Sequence, residues 1–159
     1  MPHKILIIFY SILFTTIIYS QGFLHTDGKK IVNGSGNEVH LRGFGLGGWL
    51  VPEGYMLQMS GFANSPTEIK NSIRQLISEP KTQEFFSKYR ENYVTEADID
   101  LLASWGINSI RLPLHYEQLI SLDQTGVFYE DGFKKIDNLL NWCEKNQIYL
   151  ILDLHCAPG

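Results

Sequence analysis

The side chains best placed to do chemistry in this sequence follow directly on short runs of strand-forming residues. Ile107-Asn108-Ser109-Ile110-Arg111-Leu112 is one such run, closed by Pro113 and followed by His115 and Tyr116. Ile148 to Leu154 is another: it carries Asp153, releases His155 at its end, and leads into the turn residues Ala157-Pro158-Gly159. A third, Arg42-Gly43-Phe44-Gly45-Leu46-Gly47-Gly48-Trp49, has four glycines in six positions and runs on to Glu53. Glycine at that density weakens a strand and permits close backbone approach. In parallel α/β folds the working groups gather outside the carboxyl ends of the strands, so positions far apart in sequence meet on one face. Adjacent parallel strands lie ~4.8 Å apart, which allows Arg111 and His155 to share a pocket.

Each of these residues has a chemical reading and a plainer one. Arg111 is a permanent cation at a strand end and must find an anion or reach water; the plain alternative is a structural ion pair. Asp153 and His155 are two apart and point to the same side of their strand, where Asp-x-His suits either a metal or a hydrogen-bonded pair. A metal barrel would also draw ligands from the first strand, and Leu41 to Gly48 contains no His, Asp, Glu or Cys. Trp49, Tyr55 and Phe62 are candidate stacking platforms for sugar rings or simply core aromatics. Glu53, between Pro52 and Gly54, is a loop carboxylate, free to bind a ligand or only solvated.

Positioning these groups requires alternating strands and helices. Residues 22–42 read as a lead-in hairpin, with strands Lys29–Val32 and Glu38–Leu41 around the turn-rich Asn33–Asn37. Ser65-Pro66-Thr67-Glu68 is a capping box that opens a helix with Ile69, Ile73, Leu76 and Ile77 at helical spacing. A second helical piece after Pro80 carries Phe85, Phe86 and Tyr89. Thr95 opens a third, with Ile99, Leu102 and Ala103 inward and Gly106 as its stop. Asp131 begins a fourth, whose Phe133, Ile136, Leu139, Leu140 and Cys143 form one apolar stripe. The resulting β-α-β-α-β order implies parallel strands joined by helical crossovers, and no linker divides residues 21–159.

With 44% hydrophobic and 19% charged side chains, the 159 residues suffice for one domain with a sizeable core. A formal charge of −4, with no stretch concentrating Lys and Arg among aromatics, argues against a nucleic-acid partner. Lys4 and the weakly polar to apolar run Ile5–Tyr19 have the length of a signal-peptide core, short of the ~20 residues that span a bilayer. Ser20 offers a small residue for cleavage before Gln21. Residues 1–20 are therefore read as a signal peptide, with an uncleaved anchor as the rival, and the protein as secreted or periplasmic without a stable membrane anchor. Asn33-Gly34-Ser35 is a glycosylation sequon, although a turn explains it equally. Cys143 and Cys156 are left unpaired or paired by the sequence alone.

The combination of Leu41-Arg42-Gly43 through Gly47-Gly48-Trp49-Leu50, Trp105-Gly106-Ile107-Asn108-Ser109-Ile110-Arg111-Leu112-Pro113, and Leu152-Asp153-Leu154-His155-Cys156-Ala157-Pro158-Gly159 resembles glycoside hydrolase family 5, which contains cellulases, mannanases and exo-β-1,3-glucanases. The resemblance covers residues 22–159. It implies a (β/α)₈ TIM barrel, incomplete here: an N-terminal hairpin plus the first three parallel strands and their helices. It also implies retaining hydrolysis of a β-linked polysaccharide, β-glucan or mannan, by two Glu whose carboxyl groups stand ~5–5.5 Å apart. In the family those carboxylates end the fourth and seventh strands, which lie beyond Gly159. By similarity, Arg111 would hold the nucleophilic carboxylate and His155 would touch a sugar hydroxyl. Glu53 would bind a terminal sugar as in the exo-glucanase branch, and Trp49, His115 and Tyr116 would line the substrate site. No metal or cofactor is implied. These 159 residues are expected to hydrolyse nothing alone and to leave the face and edge of their last strand uncovered. A non-catalytic carbohydrate-binding protein and a metal-dependent barrel hydrolase are the alternatives.

Overall fold

The computed structural model describes residues 22–121 and 123–156. The N-terminal apolar run read as a signal peptide lies outside the described residues, as does the closing Ala157-Pro158-Gly159. The described residues separate into two compact units, divided between Val39 and His40.

In the first unit, β1 (His25–Asp27) pairs antiparallel with β2 (Lys30–Val32). Gly28 takes the left-handed φ of +59° that their two-residue turn requires. The expected strand at Lys29–Val32 is thus present, but its first partner is the short His25–Asp27. The Asn33–Asn37 turn is also real: Asn33 Oδ1 accepts from the backbone N–H of Ser35 and Asn37, both at 3.0 Å. It returns Glu38 to a single bridge with Val32, reinforced by Lys30–Glu38 at 2.7 Å. The anticipated strand Glu38–Leu41 does not extend further.

The second unit explains why. The Asn108 side chain donates to the His40 carbonyl at 2.9 Å and accepts from the Arg42 N–H at 2.7 Å, so these backbone groups serve the second unit. Its sheet has three parallel strands in the order β3 (Gly43–Gly45), β4 (Ser109–His115), β5 (Tyr149–Cys156). Between β3 and β4 run α1 (Pro66–Leu76), α2 (Glu79–Tyr93) and α3 (Glu96–Ser104); α4 (Glu130–Lys145) joins β4 to β5.

Local chemistry sets the ends of these helices. At α1, Ser65 Oγ accepts from the Glu68 N–H while the Glu68 carboxylate accepts from the Asn64 and Ser65 N–H groups. Those backbone donors hold the Glu68 carboxyl below the usual carboxylate range. At the start of α3 the Asp98 carboxylate accepts from the Thr95 N–H at 2.8 Å and from the Thr95 hydroxyl at 2.7 Å. Gly106, at φ +78°, closes α3: its N–H reaches Ala103 and that of Ile107 reaches Leu102.

The core lies between the sheet and α3–α4. Ile110, Leu112 and Leu114 project from β4 against Ile99 and Leu102 of α3 and Ile136, Leu139 and Cys143 of α4. Burying each such large side chain contributes about 1.5–3 kcal/mol. Two residues of the expected α4 stripe depart from it, since Phe133 and Leu140 are 40% and 44% exposed. Phe133 instead meets Phe128 edge-to-face, with ring centroids 6.1 Å apart.

Pro113 does not end its strand, as its type suggested; β4 continues to His115. The Arg111 carbonyl faces β3, accepting from the Leu46 N–H at 2.9 Å. Pro113, two residues on, faces the same side beyond the end of β3, where no ladder bond needs the N–H it lacks. Cys143 and Cys156 are both free thiols.

Candidate active site

Parallel register aligns Arg111 with Ile151 and Pro113 with Asp153, which puts Arg111, Asp153 and His155 on one face of the sheet. The three side chains converge. Arg111 Nη2 donates to Asp153 Oδ2 and lies 3.0 Å from His155 Nδ1. His155 Nδ1 is in turn 3.2 Å from Asp153 Oδ2. Sequence reasoning offered Arg111 either an ion pair or an external anion, and within this chain the partner is Asp153.

The geometry leaves His155 two arrangements. A guanidinium only donates, so in the Arg111 contact Nδ1 accepts and the neutral ring carries its proton on Nε2. In the Asp153 contact Nδ1 must carry the proton. Either way the second nitrogen is left to meet a ligand, as donor in the first case and acceptor in the second. The Arg111 and Asp153 side chains are 47% and 30% exposed. A pair that wet contributes only about 0–1 kcal/mol to stability, so its consequence is orientation. The Nε and Nη1 donors of the guanidinium make no hydrogen bond among the described residues and can serve a further acceptor.

Glu53 approaches the same rim from the loop after β3. Burial raises the Cys156 thiol pKa, and the charges of Glu53 and Asp153 raise it further. The turn that carries Glu53 is tightly packed: a Cβ on Gly54 would lie 2.1 Å from the Ala63 carbonyl.

The remaining candidates sit differently. Trp49 is only 3% exposed, and its indole N–H donates to the Arg90 carbonyl at 2.7 Å. With Tyr89, whose hydroxyl donates to the Gly48 carbonyl at 2.6 Å, it fastens α2 to the glycine-rich loop. A ring buried to that degree has no free face for stacking, whereas Tyr55 and Phe62 of the following loop are 66% and 68% exposed. His115 and Tyr116 are half-buried and stacked, with ring centroids 4.8 Å apart.

Trp49 and His115 also border a cleft of 630 Å³ walled by α1, α2, the turn after β4 and the start of α4. Arg111, Asp153 and His155 do not line it. The cleft contains Arg90, a residue that sequence reasoning passed over because on α2 it resembles any surface cation. Among the described residues, no group of three or more His, Cys, Asp or Glu could hold a metal ion. Asp153 and His155, the pair considered for one, have the Arg111 cation as their common neighbour, where it would repel a metal.

Residues 66–158, more than half of the chain, match the family described as Cellulase (glycosyl hydrolase family 5). The chain belongs to glycosyl hydrolase family 5. It is 38% identical over 139 residues to a β-xylosidase of Phanerodontia chrysosporium, covering 87% of this chain and 29% of that protein. To glucan 1,3-β-glucosidase 1 of Schizosaccharomyces pombe it is 32% identical over 125 residues, covering 75% and 30%. The crystal structure of rutinosidase from Aspergillus niger superposes with a TM-score of 0.60 at 25% identity, covering 74% of this chain and 33% of that one. The chain thus spans about a third or less of the length of these family 5 relatives. Its three parallel strands and their helices form an open segment of the family's (β/α)₈ barrel architecture.

Proposed function

We propose that the protein carrying these residues is an exported, retaining glycoside hydrolase that cleaves β-linked polysaccharide, with Arg111, Asp153 and His155 forming the floor of its sugar site. The convergence of these three side chains on one face of neighbouring parallel strands carries the reading. Retention requires a carboxylate nucleophile held ionised and in line, and a guanidinium pinned by Asp153 is oriented to receive one. His155 offers its outward ring nitrogen to a sugar hydroxyl. Glu53, at the rim, binds the terminal sugar, and His115 and Tyr116 border the approach. Relatives named as a β-xylosidase and a glucan 1,3-β-glucosidase favour a β-linked xylan or glucan over mannan.

Two measurements test this. In the protein that contains the full barrel, reducing-sugar release from β-glucan, xylan and mannan should appear, and Arg111→Ala should lower kcat about 10²–10³-fold, the size of loss seen when one preorganised donor is removed. Undiminished turnover in that variant defeats the role given to Arg111; binding of β-glycan without any hydrolysis defeats the enzyme reading in favour of a binding protein. The 159 residues alone should release no sugar, since neither family carboxylate is among them, and release by the purified chain would overturn this. Export is checked by sequencing the N-terminus of the mature product, expected to begin at Gln21. Among the described residues no helix is long and apolar enough to cross a membrane.

A further inference from the structure

We propose that the 630 Å³ cleft beside the rim binds an acidic sugar, with Arg90 gripping its carboxylate. The inference rests on the glycanase reading and names a feature of its substrate. A volume of 630 Å³ falls within the range of small-molecule sites and suits a monosaccharide or disaccharide.

Its lining is unevenly committed. Arg74 is paired with Glu79 at 3.2 Å, and Asp131 with Lys135. Lys70 and Arg90 have no ion-pair partner among the described residues, and Glu117 is the one lining anion left unpaired. Arg90 Nε is enclosed by protein and has no hydrogen-bond acceptor. Asp131 and Glu91 act on the guanidinium through charge alone, while burial pulls its pKa down from the usual arginine value.

The two Nη groups of Arg90 make no hydrogen bond or ion pair among the described residues, and the Nη pair of a guanidinium forms a planar fork that matches a carboxylate in bidentate fashion. Tyr129, also in the lining and 45% exposed, offers a ring face to the sugar. His115 connects the cleft to the site, because it is the register partner of Cys156, the residue after His155. A glycan lying across Arg111 and His155 can therefore turn an acidic branch past His115 toward Arg90.

The test compares a glucuronic-acid-substituted β-xylo-oligosaccharide with the same compound after reduction of its carboxyl to the alcohol, by titration calorimetry on the wild-type chain, Arg90→Gln and Lys70→Gln. The acidic form should bind about tenfold more tightly, as a charge-assisted bidentate contact implies. Arg90→Gln should abolish that preference. Lys70→Gln, at an exposed position of α1 that tolerates change, should narrow it about two- to threefold. Equal affinity for the two forms, a preference that survives Arg90→Gln, or no binding of any probe overturns the proposal. If the reduced form binds without preference, the glycanase reading stands and the acidic site falls. If the acidic oligosaccharide binds more tightly than its reduced form through Arg90 but no more tightly than free glucuronate, the acidic site stands and the glycanase reading is in difficulty.

Discussion

Strands β4 and β5 are near copies in length and apolar content, yet they live in different environments. In β4, Ile110, Leu112 and Leu114 are 0%, 0% and 4% exposed. In β5, Leu152 and Leu154 are 52% and 55% exposed, and Ile151 on the opposite face is 45% exposed. The first strand has neighbours on both sides and lies under α3 and α4; among the described residues the second pairs with β4 alone. Apolar periodicity states which side chains favour burial. It does not state what buries them, and the two strands separate these two pieces of information.

The contrast is easiest to break by truncation. Leu112→Ala should lower unfolding free energy by about 2–5 kcal/mol, since it removes a fully enclosed side chain and leaves a cavity. Leu152→Ala should cost less than about 1 kcal/mol, because a half-exposed leucine surrenders little buried area. Urea denaturation of both variants gives the comparison directly. Similar losses would mean that β5 is covered in solution.

The two free thiols sharpen the same contrast chemically. Cys143 packs behind β4, 1% exposed, and burial pushes its pKa up to about 11. Cys156 ends β5 and is only partly buried, with its pKa raised by burial and further by the charges of Glu53 and Asp153. Both raised values disfavour the thiolate at neutral pH, so labelling by a disulfide reagent should accelerate as pH rises toward each thiol pKa. At pH 8, Cys156 should react at least about 100-fold faster than Cys143, which waits on unfolding. Equal rates, followed by mass spectrometry of the labelled peptides, would show that the α4–β4 core opens as readily as the edge.

What could be read from the sequence follows the range of the forces involved. Capping at Ser65 and Thr95, the helix stop at Gly106 and the Asn33 turn are set by residues within a few positions of one another, and each was legible. So was the apolar alternation that marked β4 and β5. Pro113 misled because its acceptability depends on where β3 ends, nearly seventy positions earlier in the chain. The loss of pairing at His40–Arg42 depends on the equally distant Asn108 amide. In the site, the sequence offered Arg111 and His155 as candidates and Asp153 as a partner of His155; that all three meet on one face follows from the strand register. The docking of Trp49 onto α2 left no local signal, because its indole reaches the carbonyl of the distant Arg90 and no local pattern records a contact between a loop and a helix.

The smallest effect tests the strand comparison at a single atom cluster. Leu154→Glu places a carboxylate where the side chain is already 55% exposed, so the change in unfolding free energy should stay within about 0.5 kcal/mol. The same substitution at Leu114, 4% exposed, would bury an unpaired charge and should abolish folding. Because Leu152 and Leu154 stand side by side on an exposed strand, the glutamate should also reduce self-association, seen as a fall in sedimentation coefficient toward the monomer value. If Leu154→Glu is instead as damaging as Leu114→Glu, the exposed face of β5 is already occupied in solution, and the difference between the two strands belongs to the isolated chain alone.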